Sequence, residues 1–210
     1  MTASFISIEG GEGAGKSTSI KYIKSKLESR GIECIVTREP GGTPMAEDIR
    51  LLLLEHRDEV VDPYTELLLM FASRRQHVQN VIRPALDAGK WVICDRFTDA
   101  SFAYQGFGRG SDQTFIATLK HFVHSDLNPN MTLLFDLDIE IGMARAGKRA
   151  DFDRIETEAM SFFERVRQGY LTQAKAEPGR YRIVDAAQSI DNVEGQLDVF
   201  LAPLLASARD

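Results

Sequence analysis

Gly10-Gly11-Glu12-Gly13-Ala14-Gly15-Lys16-Ser17 follows the apolar run Phe5-Ile6-Ser7-Ile8, so a glycine-rich loop stands where a first strand hands over to a first helix. Glycine, four residues, then Gly15, Lys16 and Ser17 is the spacing of a phosphate-binding loop. Glycines reach backbone angles closed to other residues, which lets successive N–H groups point at phosphate oxygens. Lys16 adds a mobile positive charge, Ser17 offers a hydroxyl to Mg²⁺, and the helix that follows aims its positive end at the same place. Gly10 to Thr18 is therefore expected to hold a nucleotide polyphosphate, with Lys16 facing solvent.

Outward from this loop, strand-like runs alternate with helical patterns, the signature of a parallel sheet covered on both faces. Ile20, Ile23 and Leu27 recur at helical spacing, with Gly31 at the expected stop. Glu33 to Arg38 reads as a second strand, followed by the loop Glu39-Pro40-Gly41-Gly42-Thr43-Pro44 and a helix over Met45 to Leu54. A long helix is expected from about Tyr64 to Ala88, bent at Pro84. Its run Leu67 to Phe71 is too broad for one buried stripe, so it faces either the core alone or the core and a second subunit. Further strands are expected at Trp91 to Cys94, Met131 to Phe135 and Tyr181 to Val184. Helices are expected up to about Ala176 and from about Asp191 to Ala206.

The 210 residues suit one α/β domain, with 43% hydrophobic and 27% charged residues, ordinary for a soluble globule. A net charge of −6 argues against a nucleic-acid polymer as partner, since a phosphate backbone calls for a basic stripe. No apolar run approaches transmembrane length and no basic-then-apolar leader opens the chain, so no membrane partner and a cytoplasmic location are expected. Cys34 and Cys94 lie in strand-like runs without metal spacing and read as buried small hydrophobes. His56, His77, His121 and His124 read as solvated or locally hydrogen-bonded.

Asp95 ends a buried strand, where its carboxylate can hold Mg²⁺ through water beside Ser17. Arg96 follows it, and a guanidinium fork suits a phosphate dianion. Arg145, Lys148, Arg149 and Arg154 form a basic segment between the fourth strand and a long helix. By analogy with P-loop kinases of small metabolites, that is the place of a mobile lid, about residues 143–155, that brings positive charge to a transferring phosphoryl group.

Taken together, Glu-Gly-Gly-Glu-Gly-Ala-Gly-Lys-Ser from Glu9, Arg-Glu-Pro-Gly-Gly-Thr from Arg38 and Asp-Arg-Phe-Thr-Asp-Ala-Ser-Phe-Ala-Tyr-Gln-Gly from Asp95 resemble the bacterial type of thymidylate kinase. Asp-Arg-Ile-Glu from Asp153 and Val-Asp-Ala from Val184 extend the resemblance over essentially the whole chain. It implies a P-loop nucleotide kinase fold, a five-stranded parallel sheet with a short lid, in a homodimer. It also implies transfer of the γ-phosphoryl of ATP to dTMP, with Mg²⁺, on the route to dTTP. On it, Glu12 lies near the deoxyribose 3′-hydroxyl, Arg96 with Arg38 or Arg50 holds the acceptor phosphate, and Glu39 belongs to the same substrate site. Arg74, Ser101, Tyr104 and Gln105 line the thymine and sugar pocket, Gln105 being able both to donate and to accept along a pyrimidine edge.

The chain departs from the family pattern in two places, the base platform and the lid. The base-stacking aromatic usually stands four positions before the pocket arginine, but Met70 holds that position before Arg74, while Phe71 pairs with Arg75 at that spacing. Either Met70 or Phe71 meets the base. Gly147 occupies a lid position often filled by arginine, and Glu12-Gly13-Ala14 puts no arginine in the loop, so Arg149 and Arg145 are the candidate donors to the transition state, Arg145 lying nearer adenine or the β-phosphate. A regulatory GTPase would carry an Asn-Lys-x-Asp motif, which the chain lacks. A deoxynucleoside kinase takes a neutral acceptor and would need no Arg96 aimed at an acceptor phosphate, another P-loop small-metabolite kinase stays an alternative, and an inactive scaffold would not need Lys16, Ser17 and Asp95.

Overall fold

The computed structural model describes residues 3–147 and 153–207. The chain runs β1 (Phe5–Gly10), α1 (Lys16–Glu28), β2 (Cys34–Arg38), α2 (Pro44–Leu54) and α3 (Pro63–His77), then α4 (Arg83–Asp87) and β3 (Trp91–Asp95). It continues through α5 (Thr98–Ser101), α6 (Gln113–His124), β4 (Met131–Asp136), α7 (Ile139–Ala146), α8 (Met160–Ala176), β5 (Tyr181–Asp185) and α9 (Ile190–Ser207). The five strands pair in parallel in the order β2-β3-β1-β4-β5. The chain leaves β1 for one side of the sheet, then crosses to the other after β3. A crevice therefore opens at the carboxyl end of β1, where the phosphate-binding loop begins.

Both faces of the sheet are covered, and the two-residue strand period sorts the side chains between them. Ile6, Ile8, Trp91, Ile93, Leu133 and Phe135 pack with Ile23 and Leu27 of α1 and Leu197 and Leu201 of α9. Phe5, Val92 and Cys94 turn to the other face and meet Val78, Ile82 and Phe97.

The expected long helix is one rod with a π turn, Val78–Ile82, between α3 and α4. Pro84 lacks the N–H that would bond four residues back, and its ring crowds that carbonyl. The helix answers by widening one turn, so that Arg83 N donates to Val78 O. A second π turn, Phe102–Gly108, extends α5. Helix α6 went unassigned from sequence although its signals are plain: Asp112 caps Thr114 N at 2.8 Å, and Ile116 and Val123 fall on the buried side.

Two smaller expectations change. Cys94 is buried, but Cys34, at the start of edge strand β2, is only half-buried. His77 and His124 are neither solvated nor locally bonded: His77 pairs with Thr37 Oγ1 at 2.6 Å and with Glu39, and His124 Nε2 with Thr98 Oγ1 at 2.7 Å. Among the described residues no helix is long and apolar enough to cross a membrane.

Candidate active site

The phosphate-binding loop closes over the start of α1, whose N-cap Gly15 has φ 82°, leaving the first N–H groups of the helix without a side-chain cap. Gly13, at φ 69°, touches α7: a Cβ there would lie 2.1 Å from Gly142 O, and a Cβ on Gly142 would lie 2.6 Å from Glu12 O. The loop is seated on the helix that leads toward the basic segment.

Lys16 does not face solvent, contrary to expectation. It is 8% exposed, and Nζ donates to Gly10 O at 3.1 Å and Gly11 O at 2.7 Å, which folds the ammonium back onto the loop. Burial, then Arg96 nearby, push its pKa down. Asp95 Oδ1 is buried and unpaired among the described residues, and Ser17 lines the same cleft. An orphaned carboxylate oxygen in the same cleft as a hydroxyl fits a hydrated Mg²⁺, which takes few protein ligands and fills its shell with water and phosphate oxygens.

A cleft of about 550 Å³ runs from this loop, Glu12 through Thr18, past Arg96 to Tyr104 and Gln105. Arg96 stands at its centre in a left-handed backbone conformation, φ 67°. Its Nη1 donates to Gly10 O at 3.0 Å and Tyr170 OH at 3.2 Å, Nη2 is paired with Glu12, and the guanidinium lies 4.8 Å from the Tyr104 ring centroid. Arg50 and Arg38 line the same cleft, Arg38 on Glu47 at 2.8 Å and Arg50 on Pro40 O at 3.0 Å. Burial, then the charge of Arg38, depress the pKa of Arg50 and outweigh the opposing pull of Glu47 and Asp153.

At the far end of the cleft the wall contains Met70, Tyr104 and Gln105. Of the two candidates for the base platform, Met70 lines the cleft. Phe71 does not, since it packs with Leu67, Ile116 and Val123, with the Arg74 guanidinium 4.6 Å from its ring centroid. Arg74 and Ser101 also fall outside the lining and are fully buried behind it. Arg74 donates to Glu39 Oε2 at 2.6 Å, Ser101 Oγ at 3.0 Å and Phe97 O at 3.3 Å. Glu39 reaches the cleft lining, but its carboxylate is committed to Arg74 and to His77 Nδ1 at 3.0 Å. Burial works to raise its pKa, and Arg74 and His77 outweigh that and hold it low.

Gln105 Nε2 donates one hydrogen to Glu66 Oε1 at 2.9 Å, while its Oε1 is buried without a partner among the described residues and leaves an acceptor at the cleft. Glu66, which no sequence motif marks, also binds Arg109 and Arg154. Arg154 thus turns to α3 and to Leu53 O rather than to the phosphate loop. Nothing in the spacing of Glu66, Gln105 and Arg154 announces that they meet.

Arg145 lines the cleft and donates to Ala186 O at 3.0 Å, while Arg149 and Lys148 lie outside the described residues, as does the middle of the expected lid. Residues 8–197 match the family model described as thymidylate kinase. The chain is 54% identical over 209 residues to the thymidylate kinase of Pseudomonas savastanoi pv. phaseolicola and 55% to that of Pseudomonas syringae pv. tomato, with 100% of each chain covered in both cases. The crystal structure of thymidylate kinase from Ehrlichia chaffeensis superposes with a TM-score of 0.73 at 32% identity, over 95% of this chain and 99% of that one. A cleft joining a phosphate-binding loop to an arginine cluster and a polar pocket, on a chain alike in sequence from end to end, places it in one family: the chain belongs to the thymidylate kinases.

Proposed function

We propose that the chain transfers the γ-phosphoryl group of ATP to dTMP, giving ADP and dTDP on the route to dTTP. The observation that carries this reading is the single cleft that links Lys16 and Ser17, through Arg96, to Met70 and Gln105. Its two ends suit the two substrates. ATP places its phosphates under the loop Gly10 to Thr18, and dTMP extends from Arg96, Arg38 and Arg50 toward Met70, Tyr104 and Gln105. A phosphate oxygen of dTMP attacks the γ-phosphorus in line, and the bond from that phosphorus to the bridging oxygen breaks, leaving ADP. Lys16 turns from the carbonyls of Gly10 and Gly11 to the phosphates, and Arg96 exchanges the carboxylate of Glu12 for the acceptor phosphate. Glu12, once released, stands at the deoxyribose. Ser17 and Asp95 would hold Mg²⁺, which would supply positive charge to neutralise the phosphates.

Arg149 and Arg145 supply positive charge from a lid at about residues 143–155, and residues 1–210 act as one domain in the cytoplasm. A homodimer is supported by exposed apolar side chains on adjoining helices: Leu51 and Leu52 on α2, Leu68 on α3, and Phe115 and Phe122 on α6. A coupled ADP-release assay tests the reading. Turnover is expected with dTMP and negligible turnover with thymidine, which lacks the phosphate that Arg96 would hold; brisk thymidine phosphorylation would move the chain to nucleoside kinases.

A further inference from the structure

An amide side chain can face a ligand with its oxygen or with its nitrogen, and the choice decides which bases it accepts. Gln105 does not make that choice alone. Its Nε2 lies 2.9 Å from Glu66 Oε1, and an ionised carboxylate only accepts, so the NH₂ must turn to Glu66 and the oxygen must turn away. That oxygen is buried and unpaired among the described residues, on a side chain that lines the cleft. A buried acceptor without a donor is costly unless a ligand completes it.

Glu66 is held rigidly enough to impose this orientation. It is 1% exposed and accepts from Arg109 Nε at 3.3 Å and Nη2 at 3.2 Å, and from Arg154 Nη2 at 2.6 Å. Each arginine is tethered elsewhere: Arg154 Nε donates to Leu53 O at 2.9 Å, and Arg109 Nη1 to Glu158 Oε1 at 2.5 Å. Burial works to neutralise Glu66, but Arg109, Gln105 and Arg154 outweigh it and keep the pKa below the ordinary carboxylate value. Glu66 therefore stays acceptor-only at neutral pH.

We propose that Glu66 is a positioning residue that sets base specificity, by fixing the Gln105 amide with its oxygen toward the base. The proposal rests on the reading of the cleft as a dTMP site with Gln105 at the ring. An oxygen in that place pairs with a pyrimidine whose ring N3 carries a hydrogen, as in thymine and uracil. It repels cytosine, whose N3 presents a lone pair. Discrimination between thymine and uracil lies elsewhere, since both carry the N3 hydrogen.

The test compares the wild type, Glu66→Gln, Gln105→Leu and the double variant by kcat/KM for dTMP, dUMP and dCMP, with dCMP used as a competitive inhibitor where its turnover is too slow to follow. A glutamine at position 66 can donate as well as accept, so it no longer dictates how Gln105 turns. Glu66→Gln is expected to lower the dTMP-to-dCMP preference about tenfold while leaving dTMP-to-dUMP within about twofold, and to change neither ratio further in the Gln105→Leu background. A merely structural role for Glu66 would lower all three rates together, and that result overturns the proposal. If Gln105→Leu keeps the wild-type preference against dCMP, the reading of Gln105 at the base fails and takes the proposal with it. If Gln105→Leu loses the preference and Glu66→Gln retains it, the role of Glu66 alone fails. A measurement on the wild type decides the matter should Glu66→Gln not fold. The Gln105 side-chain NH₂ resonance, assigned by its loss in Gln105→Leu, is expected to exchange slowly with solvent in both the free and the dTMP-bound protein, and fast exchange in the bound protein overturns the proposal.

Discussion

The two ends of the cleft are built in opposite ways. The phosphate end is made by one unbroken stretch, Gly10 to Thr18, and largely by its backbone, so the chemistry is present as soon as that segment adopts its turn. The base end is assembled from α3, the π turn after α5 and the loop after β2, with Arg74, Glu39 and Glu66 packed out of solvent around it. A contiguous backbone site depends on few side chains, whereas an assembled one depends on many buried groups that never meet the ligand. Substitutions at the first end should therefore alter rate with modest loss of stability, and substitutions at the second should alter stability as much as binding.

The largest effect is expected where a supporting charge is removed. Arg74→Leu leaves the carboxylate of Glu39 buried with only His77 beside it, which should lower unfolding stability by about 3–5 kcal/mol in chemical denaturation. A loss below about 1 kcal/mol would break the contrast. Lys16→Ala should do the reverse. Turnover is expected to fall by a factor equivalent to about 3–4 kcal/mol in the barrier. Stability should fall by only about 1 kcal/mol, from the carbonyls of Gly10 and Gly11 losing a donor. Steady-state kinetics and a thermal melt on the same preparation check both halves.

Met70 and Phe71 sharpen the comparison within a single helix. Phe71→Leu is expected to cost about 2 kcal/mol of stability and to leave the dTMP KM within about twofold, because the ring belongs to the core and not to the cleft. Met70→Leu conserves volume, so stability should hold within about 1.5 kcal/mol while the dTMP KM rises severalfold and the ATP KM does not. The opposite pattern would return the base platform to Phe71.

The smallest effect is a pH dependence carried by the buried wall. His124, 1% exposed, has its pKa lowered to about 4 by burial and then by Arg74, with Lys120 adding to this and Glu39 opposing it. Between that value and the ordinary histidine value near 6.5 the unfolded chain binds a proton that the folded chain refuses, so stability falls as pH drops through this window. At pH 5.5 the loss relative to neutral pH is about 1.2 kcal/mol, and His124→Gln should remove that slope in denaturation titrations at pH 5.5 and 7.5.

The same contrast explains what could be read in the sequence. Strand-helix alternation and the spacing Gly10 to Ser17 are local patterns, and the sheet and the phosphate loop followed from them directly. The resemblance supplied the family and the cast of base-site residues, but not which of them stand at the wall. Arg74 and Phe71 lie behind Met70 because α3 buries one stripe more deeply than a broad run of Leu67 to Phe71 can reveal, and Ser101 on α5 is buried against Arg74. The Glu66 junction joins residues 39 and 88 positions apart, so only the folded chain brings them together. Lys16 differs from its expected exposure for a related reason: a flexible stem lets the ammonium fold back onto the carbonyls of its own loop, which spacing alone does not reveal.

Gly13 and Gly142 meet through main chain alone, and this constrains how the sequence can drift. Any side chain at either position strikes a backbone carbonyl of the other segment, an obstacle that no compensating replacement of a side chain can clear. The two positions are barred independently, and neither can be freed by a change at its partner. Lineages that diverge everywhere else around the loop are expected to keep this pair, or to lose both together through a shift of α7 as a whole.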